Sequence, residues 1–366
     1  MPTQPQLKPW INEIRAYVPG KSKADDGREL VKLSANENPL GCSQAALEAL
    51  REPGHPELYP DPGALRLADA LGNLHAVDPA QIVCGTGSGE LLHCAVQAFA
   101  GPGDEVLFSK YSFSLYPLIA HKVGATPVFV EDNDFVASVD TILARVTDKT
   151  KVVLLDNPNN PSGTAIGRDE VRRLHTGLPS DVLLVLDQAY GEYVDDHMDD
   201  GGFELAASAE NVLVTRTFSK AYGLAGLRIG WATGAPTLID ALNRLRGAFN
   251  VSTQGQNAAI AALADQEFVA RSREVNATGR ERLTKAVAAL GNHGLRAIQS
   301  QANFILVLFE GDLSAERALE ALAEAGYAVR HLPGQGLPNA LRITIGKTDD
   351  MTRVIVTLRA LCGEPQ

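Results

Sequence analysis

The chain has little cysteine, no excess of basic residues, no long apolar run and no histidines at metal-binding spacing. Each shortage removes a class of function. Four cysteines, Cys42, Cys84, Cys94 and Cys362, are spread over 366 residues with no CxxC pair. They are expected to be reduced, mostly buried thiols of a cytosolic protein rather than a disulfide framework. Lys and Arg number 33 against 44 Asp and Glu, a net charge of -11. That balance argues against nucleic acid or an anionic membrane surface as the main partner, so an anionic ligand must be held by a local pocket. No segment approaches the ~20 apolar residues needed to span a bilayer. Met1 to Trp10 holds three prolines and no apolar run, so neither a signal peptide nor a transit sequence is evident, and a cytoplasmic location is expected. None of the eight histidines falls in an H-x-x-x-H pattern, and no metal is expected. A G-x-x-x-x-G-K-[ST] loop is also missing, which removes the usual nucleotide-hydrolysing folds.

What is present is the composition of a globular enzyme, with 45% apolar and 21% charged residues. The length predicts one large domain and a smaller companion. Apolar β-rich runs at Ile82 to Cys84, Glu105 to Phe108, Thr126 to Val130, Val152 to Asp156, Val182 to Asp187 and Val212 to Thr215 alternate with helical patterns at Glu90 to Ala100, Tyr116 to Val123 and Asp169 to His175. Such alternation predicts an α/β fold built on a largely parallel sheet, with the site at the carboxyl ends of its strands. Beyond Gly255 the pattern changes to a long helical stretch, Asn257 to Leu290, which Gly279 interrupts. Strands follow at Asn303 to Leu308, Ala328 to His331 and Leu341 to Thr344, with a helix at Ser314 to Ala325. The expected division is a large domain over 35–255 and a small α+β domain over 1–34 and 256–366. The first 30 or so residues, including the polar turn Pro19 to Arg28, are expected to pack with the smaller unit.

Four stretches carry chemistry. In Thr215 to Gly230, Lys220 follows an apolar strand and sits among hydroxyls and glycines. A lysine that attacks an aldehyde must be deprotonated and must have room for the ring it binds. A lone loop lysine is usually a solvated surface residue; Thr217, Ser219 and Arg228 beside it add the groups that bind a phosphate monoester. Val182 to Asp187 is an apolar strand ending in an acid. Asp187 is a candidate to keep a pyridine nitrogen protonated, which makes the ring an electron sink. Asn157-Pro158-Asn159-Asn160-Pro161-Ser162-Gly163 follows another strand, and beyond a simple turn it offers polar contacts to that ring. Gly85-Thr86-Gly87-Ser88-Gly89-Glu90 places backbone N–H groups at a helix start, an anion site.

Together these elements resemble the aspartate aminotransferase superfamily of pyridoxal-phosphate enzymes, of fold type I with a large and a small domain. More closely, Leu33 to Pro39, Asn157 to Gly163, Asp187 to Tyr190, Ser219 to Arg228 and Leu341 to Gly346 resemble, in combination and order, the histidinol-phosphate aminotransferase family. The resemblance covers nearly the whole chain. It implies pyridoxal 5'-phosphate bonded to Lys220, with Asp187 on the ring nitrogen and Asn160 with Tyr190 on the phenolic oxygen. Ser88, Gly89, Ser219 and Arg228 would hold the phosphate and Phe113 would stack on the ring. Tyr59 would reach the cofactor phosphate of a neighbouring subunit, which implies a homodimer with shared active sites. Gly89 stands where the family commonly has Asp or Asn, and Ser162 where it commonly has Thr. Backbone amides bind phosphate at the first position, so neither change is expected to abolish catalysis.

The implied reaction is transfer of an amino group between L-histidinol phosphate and 2-oxoglutarate in histidine biosynthesis, with ping-pong kinetics. Lys220 would act as the general base. Arg330 and Arg342 are candidates to grip the substrate's anionic groups, with Asn36 in contact and Tyr17 closing the pocket. Either arginine suits a phosphate or a carboxylate, so the residue types leave aromatic amino acid transamination as the alternative. A decarboxylase or other lyase would show the same Lys220 and Asp187. A non-enzymatic regulator would need an attached DNA-binding segment, and none long enough is present.

Overall fold

The computed structural model describes residues 4–14, 23, 27–52 and 54–364. A short strand, β1 (Val31–Lys32), leads into the larger unit. Seven strands then follow in chain order: β2 (Ile82–Gly85), β3 (Glu105–Ser109), β4 (Thr126–Val130), β5 (Thr150–Asp156), β6 (Leu183–Asp187), β7 (Val212–Thr217) and β8 (Gly230–Gly234). They form one sheet in the order β2-β8-β7-β6-β5-β3-β4. The run from β4 through β3, β5 and β6 to β7 is parallel, whereas β8 is antiparallel to both its neighbours.

Helices cover both faces of this sheet, which is why its central strands are continuously apolar and not alternating. All five residues of β6 are buried. One face packs on Leu91, Leu92, Tyr116 and Ile119, and the other on Ile142, Val171 and Leu174. The six strands predicted for this sheet lie where expected to within two residues, whereas in the smaller unit the expected strand Ala328 to His331 divides into Tyr327–Ala328 and Arg330–Leu332 and the one expected at Leu341 begins at Leu337. The antiparallel β8 was not anticipated. Its sequence, Gly-Trp-Ala-Thr-Gly, lacks the β-branched run that marked the others.

The smaller unit carries β9 (Leu295–Ala297), β10 (Phe304–Phe309), β11 (Tyr327–Ala328), β12 (Arg330–Leu332) and β13 (Leu337–Thr344). An antiparallel sheet runs β12-β13-β10-β9, and β1 pairs in parallel with β11. The helix Ala315–Glu324 begins where Ser314 accepts a hydrogen bond from the Arg317 N–H. A closing helix, Thr348–Leu361, completes the unit.

Two expectations are corrected here. The long helical stretch is not interrupted at Gly279. It divides at Asp265, which ends the helix Thr253–Ala264 and caps the next, Gln266–Ala289, by accepting from the Phe268 N–H. Gly279 lies inside that second helix, where a Cβ would come 2.5 Å from Ile345 Cγ2. The glycine therefore serves close packing. The N-terminal residues also do not all join the smaller unit. The turn Pro9–Glu13 lies against the helix Leu115–Val123 of the larger one, with the Trp10 ring at Gly124. Arg28 does reach the smaller unit, donating to the Glu324 carbonyl at 3.2 Å. Most of the predicted Pro19 to Arg28 turn lies outside the described residues.

Candidate active site

The parallel register brings the ends of three strands side by side. Asp156 of β5 is the Cα partner of Asp187 on β6, which in turn faces Thr215 on β7. The chain leaves β7 in a turn that carries Ser219 and Lys220. These groups border a cavity of about 370 Å³ whose walls also include Ser88, Gly89, Phe113, Asn160, Tyr190 and Arg228 from the larger unit, with Arg330, Gln335 and Arg342 from the smaller. Asn36, from the segment between β1 and the first helix, lines it as well.

Lys220 donates from Nζ to the Ala35 carbonyl at 3.1 Å and lies 5.8 Å from the centre of the Tyr190 ring. Burial pushes its amine down to about 7, with the Arg342 charge acting in the same direction. Charging an amine away from water costs free energy, and nearby cations add to that cost. A large share of Lys220 is thus an uncharged nucleophile at neutral pH.

Asp187 is buried and accepts hydrogen bonds from the Tyr116 hydroxyl at 3.0 Å and the Thr215 hydroxyl at 3.2 Å. Burial lifts its carboxyl to about 6, against the pull of both hydroxyls and of Lys220. A cation set against it would favour ionisation.

The Tyr190 hydroxyl accepts from Asn36 Nδ2 at 2.8 Å and Asn160 Nδ2 at 3.2 Å. Burial raises the phenol to about 12 despite the Arg342 charge and the Asn36 hydrogen bond. Arg342 donates to Asn160 Oδ1 at 2.5 Å and to the Ser34 carbonyl at 2.7 Å. Asn36 is held by Thr344 and Asn303 in a left-handed conformation at φ 58°.

The helix Ser88–Phe99 starts without a side-chain cap, and its first residues, Ser88 and Gly89, line the cavity together with Arg228. Arg228 donates to Ser219 Oγ at 3.1 Å, and Ser219 Oγ also accepts from the Thr217 hydroxyl at 3.0 Å. Two glycines make this corner tight. A Cβ on Gly87 would come 2.5 Å from Arg228 Nη2, and one on Gly230 would come 2.2 Å from the Ser88 nitrogen. Backbone N–H groups at a helix start, a guanidinium and a hydroxyl make up the donor set that a phosphate monoester takes.

One predicted residue, Tyr59, lies apart from this cavity. It is 80% exposed and stacks on Phe249 at 4.5 Å. Tyr17 lies outside the described residues. Other site residues were not anticipated. Tyr116 and Thr215 emerge only from packing. Gln335 bridges the units by donating to the Ser112 carbonyl at 3.0 Å. Asp156 had a signal, since it ends an apolar strand just as Asp187 does. Among the described residues no three His, Cys, Asp or Glu side chains are placed to hold a metal, and no helix is long and apolar enough to cross a membrane.

A half-buried lysine, a buried acid and an anion cradle in one cavity between two α/β units define a class of fold and site that comparison makes specific. Residues 28–358 match the family of class I and II aminotransferases, and the chain belongs to that family. A histidinol-phosphate aminotransferase of Erythrobacter litoralis is 64% identical over 356 residues, 97% of each chain. That of Zymomonas mobilis is 55% identical over 364 residues, 99% of each. The crystal structure of the Sinorhizobium meliloti histidinol-phosphate aminotransferase in complex with pyridoxal-5'-phosphate superposes with a TM-score of 0.88. Its identity is 29%, and 98% of each chain is covered. The resemblance read from the motifs and the expected α/β fold of type I are both borne out.

Proposed function

We propose that this enzyme transfers an amino group between L-histidinol phosphate and 2-oxoglutarate, giving imidazole acetol phosphate and glutamate, with pyridoxal 5'-phosphate in the described cavity. The observation that carries the reading is that one cavity holds Lys220, Asp187 and the Arg228 cradle, in a chain 64% identical to a histidinol-phosphate aminotransferase. The residues present fit the cofactor. The glycine-lined corner at Ser88, Gly89, Ser219 and Arg228 suits its phosphate, and Asp187 supplies a carboxylate for a protonated ring nitrogen. Asn160 and Tyr190 offer an amide and a phenol to the ring oxygen, and Phe113 offers a face to stack on. When bound, the cofactor supplies an electron sink for the pair left behind when a substrate carbon loses its proton.

Lys220 has two tasks. Its uncharged amine would hold the cofactor through its aldehyde, and as a free amine it would take the proton from the substrate carbon and deliver it to the carbon on the far side of the substrate nitrogen. Asp187 holds the ring's proton in place. Arg342 and Arg330 line the cavity from the smaller unit and bind the substrate's phosphate or the carboxylates of 2-oxoglutarate. Asn36 keeps the Tyr190 hydroxyl in line.

Tyr59 serves the cofactor phosphate of a second copy in a homodimer. Support comes from the apolar surface around it: Leu58, Tyr59, Leu65 and Phe249 are all exposed. A cluster of this kind marks an interface. The larger domain spans 35–255, with the Pro9–Glu13 turn docked on it, and the smaller is built from 256–366 with the strand Val31–Lys32; the enzyme works in the cytoplasm. Adding histidinol phosphate, phenylalanine, tyrosine and histidine separately to cofactor-loaded protein tests the reading. Histidinol phosphate is expected to discharge the cofactor's absorption band, with glutamate formed stoichiometrically once 2-oxoglutarate is added. Response to the amino acids alone defeats it.

A further inference from the structure

We propose that Asp156 is a positioning residue that sets the slot for the cofactor ring, because one carboxylate oxygen holds the backbone N–H groups of both Phe113 and Asn160. The inference rests on the reading that the cavity takes pyridoxal phosphate. Asp156 ends β5 with only 5% of its surface exposed and lines the cavity. Its Oδ2 accepts from the Asn160 N–H at 2.8 Å and from the Phe113 N–H at 3.1 Å. Its Oδ1 accepts from Asn159 Nδ2 at 3.2 Å, and the same amide nitrogen donates to the Tyr111 carbonyl at 2.8 Å.

Two loops far apart in sequence are thereby tied to one side chain. The first carries the aromatic ring that would stack on the cofactor. The second carries the amide that would meet the ring's oxygen. Both N–H groups are turned inward at the end of a buried strand, and buried backbone donors need acceptors. A carboxylate, which only accepts, can serve three donors at once. Ring-binding groups must be held to within about 0.5 Å to work together, and a shared acceptor fixes their separation directly.

A competing role is electrostatic. Asp156 lies beside Asp187 in the sheet register, and a second negative charge there would act on the ring nitrogen. Burial lifts the Asp156 carboxyl well above the usual range, the Asn160 N–H working against this and the Asp187 charge adding to it. Charge and shape can be separated by substitution. Asp156→Asn keeps one oxygen where Oδ2 stands and removes the charge. Asp156→Glu keeps the charge and pushes the acceptor outward by one carbon.

The experiment titrates each folded apo-protein with pyridoxal phosphate, follows binding by fluorescence, and records circular dichroism in the cofactor's absorption band. If positioning is the role, Asn stays within about threefold of wild-type affinity with an unchanged band. Glu weakens binding by about tenfold, the order of one lost hydrogen bond, and alters the band. Asp156→Ser, which withdraws the acceptor instead of extending it, gives the same result as Glu and replaces it if Glu does not fold. The reverse ranking, Asn impaired and Glu retained, overturns the inference in favour of charge. Lower thermal stability of the apo-variants with unchanged affinity and band reduces Asp156 to ordinary packing and also overturns it. Failure of the wild-type protein to take up pyridoxal phosphate removes the underlying reading, and this inference with it.

Discussion

Tyr116 and Asp187 are joined by a hydrogen bond of 3.0 Å across 71 residues of sequence. The phenol is fully buried on the helix Leu115–Val123 and can serve only as the donor to an ionised carboxylate. Burial alone would favour a protonated Asp187, and the Tyr116 and Thr215 hydroxyls oppose it. Tyr116→Phe keeps the packing volume and removes one of the two hydroxyl donors. The Asp187 carboxyl then rises above about 6, and pyridoxal phosphate affinity falls by about tenfold. The loss should be larger at pH 6.5 than at pH 8, because a protonated Asp187 cannot support a protonated ring nitrogen. Equal affinities at both values for the variant and the parent would remove Tyr116 from the site.

That pair also marks the limit of what the sequence discloses. Asp187 is legible because a continuous apolar strand ending in an acid is a local pattern, and the same pattern applied to Val152 to Asp156 would have found Asp156. Tyr116 is not legible, since its place under Asp187 depends on how a helix and a strand 71 residues apart pack. The parallel strands were readable for the reason that makes them stable, burial of both faces. Strand β8 was not, because its two glycines allow the Ser88 backbone and β7 to approach closely and carry little β signal. Gly279 misleads for a related reason: a missing side chain signals a break or a close contact equally well, and only Ile345 decides between them.

Lys220 should have a distinctive pH dependence. Its amine titrates at about 7 in the fold against an ordinary value of 10.5. Only the uncharged form bonds an aldehyde, so the rate of covalent pyridoxal phosphate uptake by apo-protein, trapped with borohydride, should climb to about pH 8 and then level. An ordinary lysine would keep gaining to above pH 10. Between about 7 and 10.5 the folded state binds fewer protons at this site than the unfolded state, so its contribution to stability rises with pH across that window. Lys220→Met should therefore stabilise the apo-protein at pH 6.5, with the advantage shrinking toward pH 10 in urea unfolding. It should trap no cofactor at any pH.

Gly230 has a role that only sterics reveals. A Cβ there would sit 2.2 Å from the Ser88 nitrogen and 2.4 Å from the Gly87 carbonyl carbon, backbone atoms that cannot swing aside as a flexible side chain would. Gly230→Ala should push the start of the helix Ser88–Phe99 away from Arg228. An overpacking cost of about 1–3 kcal/mol is expected in apo-protein stability. Affinity for pyridoxal phosphate should fall more than affinity for pyridoxal, which has no phosphate to lose contact with. Parallel losses for the two ligands would show that the helix start does not bind the phosphate.

Arg342 should separate substrate from cofactor. Its guanidinium already has two partners on the cavity wall, Asn160 and Ser34, and an incoming anion competes for the same donors. Arg342→Lys keeps the charge but not the fork that grips two oxygens at once. KM for 2-oxoglutarate and for histidinol phosphate is expected to rise at least tenfold, the cost of one charge-assisted hydrogen bond. Pyridoxal phosphate affinity should change much less, because the Asn160 and Ser34 groups that Arg342 holds lie outside the cradle formed by Ser88, Gly89, Ser219 and Arg228. Steady-state kinetics beside a cofactor titration decides between substrate and cofactor roles.

The ion pair between Arg216 and Glu192 makes a prediction about folding and not about chemistry. The two are 3.1 Å apart with side-chain exposures of only 12% and 7%, so both charges are largely withdrawn from water. Arg216 also donates to Gln188 at 2.8 Å and packs over the Phe203 ring at 4.9 Å. This ties the segment after β6, including Tyr190, to β7 just before Lys220. Removing one member leaves the other charged and buried, which costs about 3–5 kcal/mol, whereas replacing both by apolar groups can cost little. Glu192→Leu should therefore lower apo-protein stability by that amount in urea unfolding. Adding Arg216→Met to it should recover much of the loss, because the orphaned guanidinium is gone. If the double variant is as unstable as the sum of the two single ones, the pair is not coupled and the charge argument fails.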